Sequence, residues 1–179
     1  MWYTGKGDTG KTGLLAGERV EKDAPRIEAL GELDEMTSSI GMARSLVSRP
    51  DIHDRLLNIQ HDLLLLMTEV ASTHPAELPE RFNDNSVHML EADIARWGDQ
   101  IELQSGFILP GECPASAALD LARAITRRAE RRMVSLARQE NIHFPHLLCY
   151  LNRLSTMLYI LARAEEQSIS GKDVGLRHK

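Results

Sequence analysis

The 179-residue sequence predicts an all-α fold, a five-helix bundle with a glycine-rich N-terminal loop. Three observations carry that prediction. Leu, Ala, Ile and Met supply most of the 42% apolar content while aromatics reach only 4%, a mix that suits helices better than a sandwich or barrel. Apolar residues recur at helical spacing in five stretches, most of them opened by a proline. Five of the twelve glycines fall between Gly5 and Gly17, a density that excludes a stable helix there and calls for a folded-back loop.

The elements follow in order. Asp23 is a candidate cap and Pro25 suits an early helical position, with Ile27, Leu30, Leu33, Ile40 and Leu46 recurring to about Ser48. Pro50 opens a second helix through Leu56, Ile59, Leu63 and Met67, ending near His74 and Pro75. Residues 73–84 are a connection, in which Pro79 is a candidate start for the third helix. That helix carries Val87, Leu90, Ile94, Trp97 and Ile101. Residues 107–111 form a short apolar turn segment. A fourth helix begins near Pro114, with Leu119, Ala122, Ile125, Ala129, Met133 and Leu136 on one face. Pro145 starts the fifth, whose Leu147, Leu151, Leu154, Leu158 and Leu161 are read as bundle core rather than as a zipper. The expected organisation is a single domain: residues 1–22 a nucleotide-binding loop, 23–169 the bundle, and 170–179 a loose tail.

Charge and composition narrow the function classes. With 21 Lys+Arg against 26 Asp+Glu, the net charge of -5 argues against a non-specific nucleic-acid partner but leaves anionic small ligands open. Cys113 and Cys149 are too few for a disulfide framework or a metal cage. No stretch approaches 18 uncharged apolar residues, and the first residues lack a targeting pattern, so a soluble, cytoplasmic protein without a membrane partner is expected.

Residues 5–12 match the Walker A pattern of glycine, four residues, then glycine, lysine and threonine. That pattern works where a strand enters the loop and a helix leaves it. Only four residues precede Gly5, and Gly13 and Gly17 interrupt the required helix, so the P-loop fold is rejected. The local chemistry remains usable: consecutive N–H groups, the hydroxyls of Thr4, Thr9 and Thr12, and Lys6, Lys11 and Lys22 can cradle a polyphosphate. Asp8 is suited to holding a turn or a bound Mg²⁺. A solvated N-terminus with chance glycines is the competing account.

Two helices carry polar stripes. Arg123, Arg127 and Glu130 share one face of the fourth helix, with Arg128 and Arg131 to the side. Surface ion pairing with Asp120 and Glu130 accounts for such a set, and so does bidentate grip of an anion. On the fifth helix Asn152, Thr156, Tyr159 and Arg163 form a second stripe, and Asn152 is expected to be at least partly buried. Asp34 interrupts the apolar face of the first helix, with Arg123 or Arg127 as its obvious partner. Metal readings fail: the one Glu-x-x-His spacing, Glu140 to His143, sits in a loop, and no resident metal site is expected.

Read in order, the motifs become specific. Thr4-x-x-Gly7-Asp8-x-Gly10-x-Thr12, Gly17-x-Arg19-Val20-x-Lys22-Asp23 and Gly31-x-x-Asp34-Glu35 resemble the N-terminal signature of PduO-type ATP:corrinoid adenosyltransferases. The segments at 107–111, 127–131 and 151–155 look like the same family. The resemblance implies a homotrimer of five-helix subunits with active sites between neighbours. It implies transfer of the 5′-deoxyadenosyl group of ATP to cob(I)alamin, with Mg²⁺, release of triphosphate and a corrinoid reductase as a possible partner. By the same resemblance, Thr4, Gly5, Lys6, Gly7, Asp8, Gly10, Thr12, Gly13 and Lys22 form the ATP-binding N-terminus. Arg127, Arg128, Ala129, Glu130, Arg131 and Asn152 match nucleotide-contacting positions. Asp34 and Arg123 match a supporting carboxylate–guanidinium pair, and Phe107 matches the aromatic residue placed under the corrin.

Two positions depart from the family pattern. Thr156 stands where members usually carry Asp, and Glu112 follows Gly111 where a second glycine is common. Neither touches the proposed phosphate grip; a reduced rate or a different corrinoid preference, rather than a lost function, is the expected consequence. Two rival readings remain: an ATP phosphohydrolase using the glycine loop, and a non-enzymatic helical protein that binds nucleotide or corrinoid.

Overall fold

A computed structural model describes residues 3–15, 17–101 and 108–176, with side chains as far as residue 169. Strands β1 (Lys11–Gly13) and β2 (Arg19–Glu21) precede α1 (Pro25–Leu46) and α2 (Pro50–Ala71). A single 3₁₀ turn (Pro75–Glu77) leads to α3 (Asp84–Gly98), α4 (Pro114–Gln139) and α5 (Pro145–Leu176). The expected five helices are present among the described residues. Proline occupies the first turn of α1, α2 and α4, where its missing N–H costs nothing.

The differences lie at element ends. Asp23 does not cap α1: Ala24 holds that position without a side-chain bond, and Pro25 fixes the entry instead. The third helix starts at Asp84 rather than Pro79, because Asn83 accepts from the Asn85 N–H at 3.0 Å and caps it there. α5 runs on to Leu176, into the segment expected to be a tail.

The core is built as the apolar stripes require. Leu33, Met36 and Ile40 of α1, Leu56, Ile59 and Leu63 of α2, and Leu119, Ala122 and Met133 of α4 are fully buried. So are Leu151, Leu154, Leu158 and Leu161 of α5, with Leu147 nearly so. α4 packs against both α1 and α5, which makes it the central helix. Ion pairs between α1 and α4 join Arg26 to Glu140, Glu28 to Arg132 and Glu32 to Arg128, so the two helices run antiparallel.

Buried polar groups fix the remaining helices. The fully buried Glu165 of α5 accepts from the N–H groups of Ser48 (3.0 Å) and Arg49 (3.2 Å) and from the Ser48 hydroxyl (3.1 Å). It thereby satisfies donors at the start of α2, whose own cap residue has no side-chain bond. The Tyr150 hydroxyl donates to Asp62 at 2.8 Å, and burial followed by the Asp62 charge pushes its pKa well above the usual value.

One end of the bundle gathers several chain segments. The Leu15 N–H donates to Ala71 O at 3.1 Å. Arg26 donates to Val70 O (3.1 Å) and Ser72 O (2.9 Å) while pairing with Glu140. The hairpin, the start of α1 and the ends of α2 and α4 therefore meet there.

Candidate functional site

The glycine-rich segment folds as a turn leading into a hairpin. The Asp8 N–H donates to Gly5 O at 3.1 Å and the Gly10 N–H to Gly7 O at 3.3 Å. Gly10 sits at φ +81°, a left-handed conformation that favours glycine. β1 and β2 then pair antiparallel, Lys11 opposite Glu21, Thr12 opposite Val20 and Gly13 opposite Arg19. This is not a P-loop: the first strand begins inside the Walker-like motif, and the hairpin forms a two-stranded sheet of its own.

Side chains tie the turn to the hairpin. Arg19 donates through Nη2 to Lys6 O (2.6 Å) and Lys11 O (3.2 Å). Lys22 crosses so close to Gly7 that a Cβ on that glycine would lie 3.2 Å from Lys22 Nζ. Gly7 is thus a point of close approach that holds an ammonium against the turn. Lys11 is paired with Glu21 at 3.0 Å. The Asp8 carboxylate folds back toward Gly5, where an added Cβ would be 3.4 Å from Oδ2. Thr4 Oγ1 accepts weakly from the Lys6 N–H at 3.4 Å.

The second part of the site lies on α4. Cys113 and Ser116 cap it reciprocally: Ser116 N–H donates to Cys113 Sγ at 3.4 Å and Cys113 N–H to Ser116 Oγ at 3.2 Å. Ala129 is fully buried in the core, so its place among the motif residues reflects helix register. Arg128 is held by α1, with Nε 2.6 Å from Glu32 Oε2 and Nη2 2.5 Å from Glu35 Oε2. Those hydrogen bonds raise its pKa further above the ordinary guanidinium value. Arg132 pairs with Glu28 at 3.4 Å. Arg127, Glu130, Arg131, Val134, Ser135 and Arg138 line an open cavity of about 350 Å³.

Asn152 belongs to this surface by a different route from the expected one. It is exposed, not buried, and donates through Nδ2 to Glu130 Oε1 at 3.2 Å while accepting from Arg153 Nη1 at 2.9 Å. Arg153 in turn reaches Glu91 of α3 at 3.0 Å. Glu130 and Asn152 are therefore brought together across α4 and α5. Thr156, one turn further along, is exposed as well.

Asp34 and Arg123 do not meet within the chain. Asp34 is exposed, and Arg123 places Nε 3.5 Å from Asp120 of its own helix. Asp120 also accepts from the buried Arg163 at 2.6 Å, and Arg163 donates further to Glu166 at 2.8 Å. Burial disfavours the Arg163 charge, but the Asp120 bond and the charges of Asp120 and Glu166 outweigh it, and the pKa is raised. Sequence reasoning noticed Asp120 and Arg163 separately and missed the pair, which is separated by 43 residues. Phe107 lies outside the described residues.

Fold and site together define an all-α bundle in which a lysine-bearing glycine turn and an arginine-rich helix share one protein. A family model described as cobalamin adenosyltransferase matches residues 2–165. The chain is 40% identical over 166 residues to the corrinoid adenosyltransferase PduO of Salmonella typhimurium, covering 92% of this chain and 49% of that protein. It spans about half the length of that relative and of its Citrobacter freundii counterpart. Against the corrinoid adenosyltransferase of Bacillus subtilis, identity is 40% over 165 residues, with 90% and 84% coverage. Among solved structures, a single-residue variant of a PduO-type ATP:corrinoid adenosyltransferase from Lactobacillus reuteri, complexed with cobalamin and ATP, superposes with a TM-score of 0.85. The two are 31% identical, and the match covers 92% of this chain and 93% of that one. The chain belongs to the cobalamin adenosyltransferase family.

Proposed function

We propose that this chain transfers the 5′-deoxyadenosyl group of ATP to cob(I)alamin, forming adenosylcobalamin and releasing triphosphate. The observation that carries the reading is the pair of guanidinium groups, Arg127 and Arg131, that have no ion pair among the described residues and line one open cavity, in a family whose solved relatives hold cobalamin and ATP. In this reaction the Co(I) electron pair attacks C5′, the C5′–O bond breaks, and triphosphate leaves with that bond's electrons. No proton moves at the reacting atoms, so no general base is needed. Charge builds on the leaving triphosphate, where fixed guanidinium groups, Lys22 and the turn N–H groups would stabilise it. In this reading Mg²⁺ enters with the nucleotide as Mg-ATP.

The reading includes a homotrimer with sites between subunits. It is supported by apolar side chains left on the outer faces, among them Met42 (58% exposed) on α1 and Leu121 (53%) on α4. In such an assembly the Asp34–Arg123 pair forms between subunits. Phe107 under the corrin would exclude water and the lower cobalt ligand, and a reductase would supply Co(I). Free Cys113 and Cys149 fit the cytoplasm, and no helix among the described residues is long and apolar enough to cross a membrane.

The test is anaerobic incubation with Mg-ATP and chemically reduced cobalamin, following the corrinoid spectrum and the phosphate product together. A light-sensitive cobalt–carbon product with intact triphosphate is expected. ADP and inorganic phosphate without corrinoid would indicate a phosphohydrolase. Saturable binding without a product would indicate a carrier.

A further inference from the structure

From residue 123 onward α4 carries six arginines, at 123, 127, 128, 131, 132 and 138, and the structure divides them by their partners. Arg123 faces Asp120, Arg128 faces Glu32 and Glu35, and Arg132 faces Glu28. Arg127, Arg131 and Arg138 have no ion pair among the described residues, and all three line the same cavity of about 350 Å³; Glu130 is the one carboxylate of that lining, and one of its oxygens accepts from Asn152. On a helix of 3.6 residues per turn, positions 127 and 138 are about 20° apart around the axis and about 16 Å apart along it. Position 131 falls between them along that stripe. Three unneutralised guanidinium groups in line describe a receptor for an elongated polyanion, since each fork grips a phosphate bidentately.

Direction along the stripe follows from the fold. Arg138 lies in the last turn of α4, next to Glu140, which pairs with Arg26 at the start of α1. That is the end of the bundle where the hairpin and Lys22 sit. Ser135, on the same wall, spends its hydroxyl proton on Arg131 O at 3.1 Å, so the arginines are the free donors there.

We infer that Arg138 is a third arm of the polyphosphate grip, contacting the terminal phosphate of the nucleotide and the corresponding end of the triphosphate product. This rests on the adenosyltransferase reading for the identity of the polyanion, and the motif resemblance does not include Arg138. The competing role is local: a cation in the last turn favours the helix dipole without touching ligand.

Calorimetric titration of the full chain with inorganic triphosphate, ADP and ATP separates the two. Arg138→Ala is expected to weaken triphosphate and ATP binding about tenfold and ADP binding much less, with melting temperature unchanged. Arg138→Lys should recover only part of the loss, because a point charge cannot make the bidentate contact. Wild-type triphosphate affinity in Arg138→Ala overturns the inference. So does an equal loss for ADP and ATP, or full rescue by lysine accompanied by a lower melting temperature in the alanine variant. Arg138-dependent triphosphate binding in a protein that makes no cobalt–carbon product would refute the proposed reaction and leave this contact standing.

Discussion

Two groups of arginines on and against α4 treat charge in opposite ways. Toward its N-terminus Asp120 sits between Arg123 and Arg163, and both Asp120 and Arg163 are about 95% buried. Toward its C-terminus Arg127, Arg131 and Arg138 line an open cavity with Glu130 and have no ion pair among the described residues, while Arg128 and Arg132 on the adjoining face are paired with glutamates of α1. The first arrangement is internally balanced and has little to offer a ligand. In the second, attraction for an anion is left unspent. One helix thus holds a closed ion-pair network near one end and unpaired guanidinium groups toward the other, so substitutions in the first should change stability and substitutions in the second should change binding.

The largest effect is expected at the closed end. Asp120→Ala leaves the buried Arg163 with Glu166 alone, and removing one partner of a buried ion pair costs about 3–5 kcal/mol. For a chain of this size, 3 kcal/mol lowers Tm by about 6–12 °C. Thermal unfolding at fixed protein concentration measures it; a drop under 2 °C would show that the pair carries little of the fold. Asp120→Asn, which keeps an acceptor for Arg163, should lose less than Asp120→Ala.

At the open end the balance reverses. Arg127→Ala should leave Tm near the starting value and lower kcat by about 10²–10³-fold, the usual cost of removing one preorganised donor from developing charge. A variant with normal turnover would remove Arg127 from the reaction. Phe107→Ala ranks next. It should slow adenosyl transfer while leaving ATP affinity within about twofold, since the role proposed for Phe107 concerns the corrin and not the phosphates. Parallel loss of ATP affinity would count against that role.

The contrast between the two groups was only partly legible in the sequence. Helix order was, because prolines at 25, 50, 114 and 145 and apolar periodicity are local signals, and the leucine row from 147 to 161 is core as read. The hairpin was visible only as a loop, since three-residue strands carry no usable period. Asn152 looked buried between apolar neighbours, yet 100° per residue turns it outward from Leu151. Asp34 was misjudged in the same way beside Leu33. Arg127 and Arg128 are adjacent and chemically identical; what distinguishes them is a pair of glutamates about ninety residues earlier, brought close only by the packing of α1 on α4.

That distinction supplies the smallest and most discriminating prediction. Glu32 holds Arg128 at 2.6 Å, at a position only partly shielded from solvent. Glu32→Gln leaves Glu35 on the same guanidinium, so the fold should be nearly indifferent. The change nevertheless removes a negative charge from the wall of a second cavity, of about 260 Å³, which Arg128 shares with Arg131 and Ser135. If α1 tempers the basic surface, ATP and triphosphate should bind more tightly in Glu32→Gln, by no more than about fivefold, and the gain should fade as salt is raised. Weaker binding would mean that Glu32 aims Arg128 at the phosphates rather than neutralising it. Arg128 would then join Arg127 and Arg131 in the receptor, leaving Arg123 and Arg132 as the balanced arginines of α4.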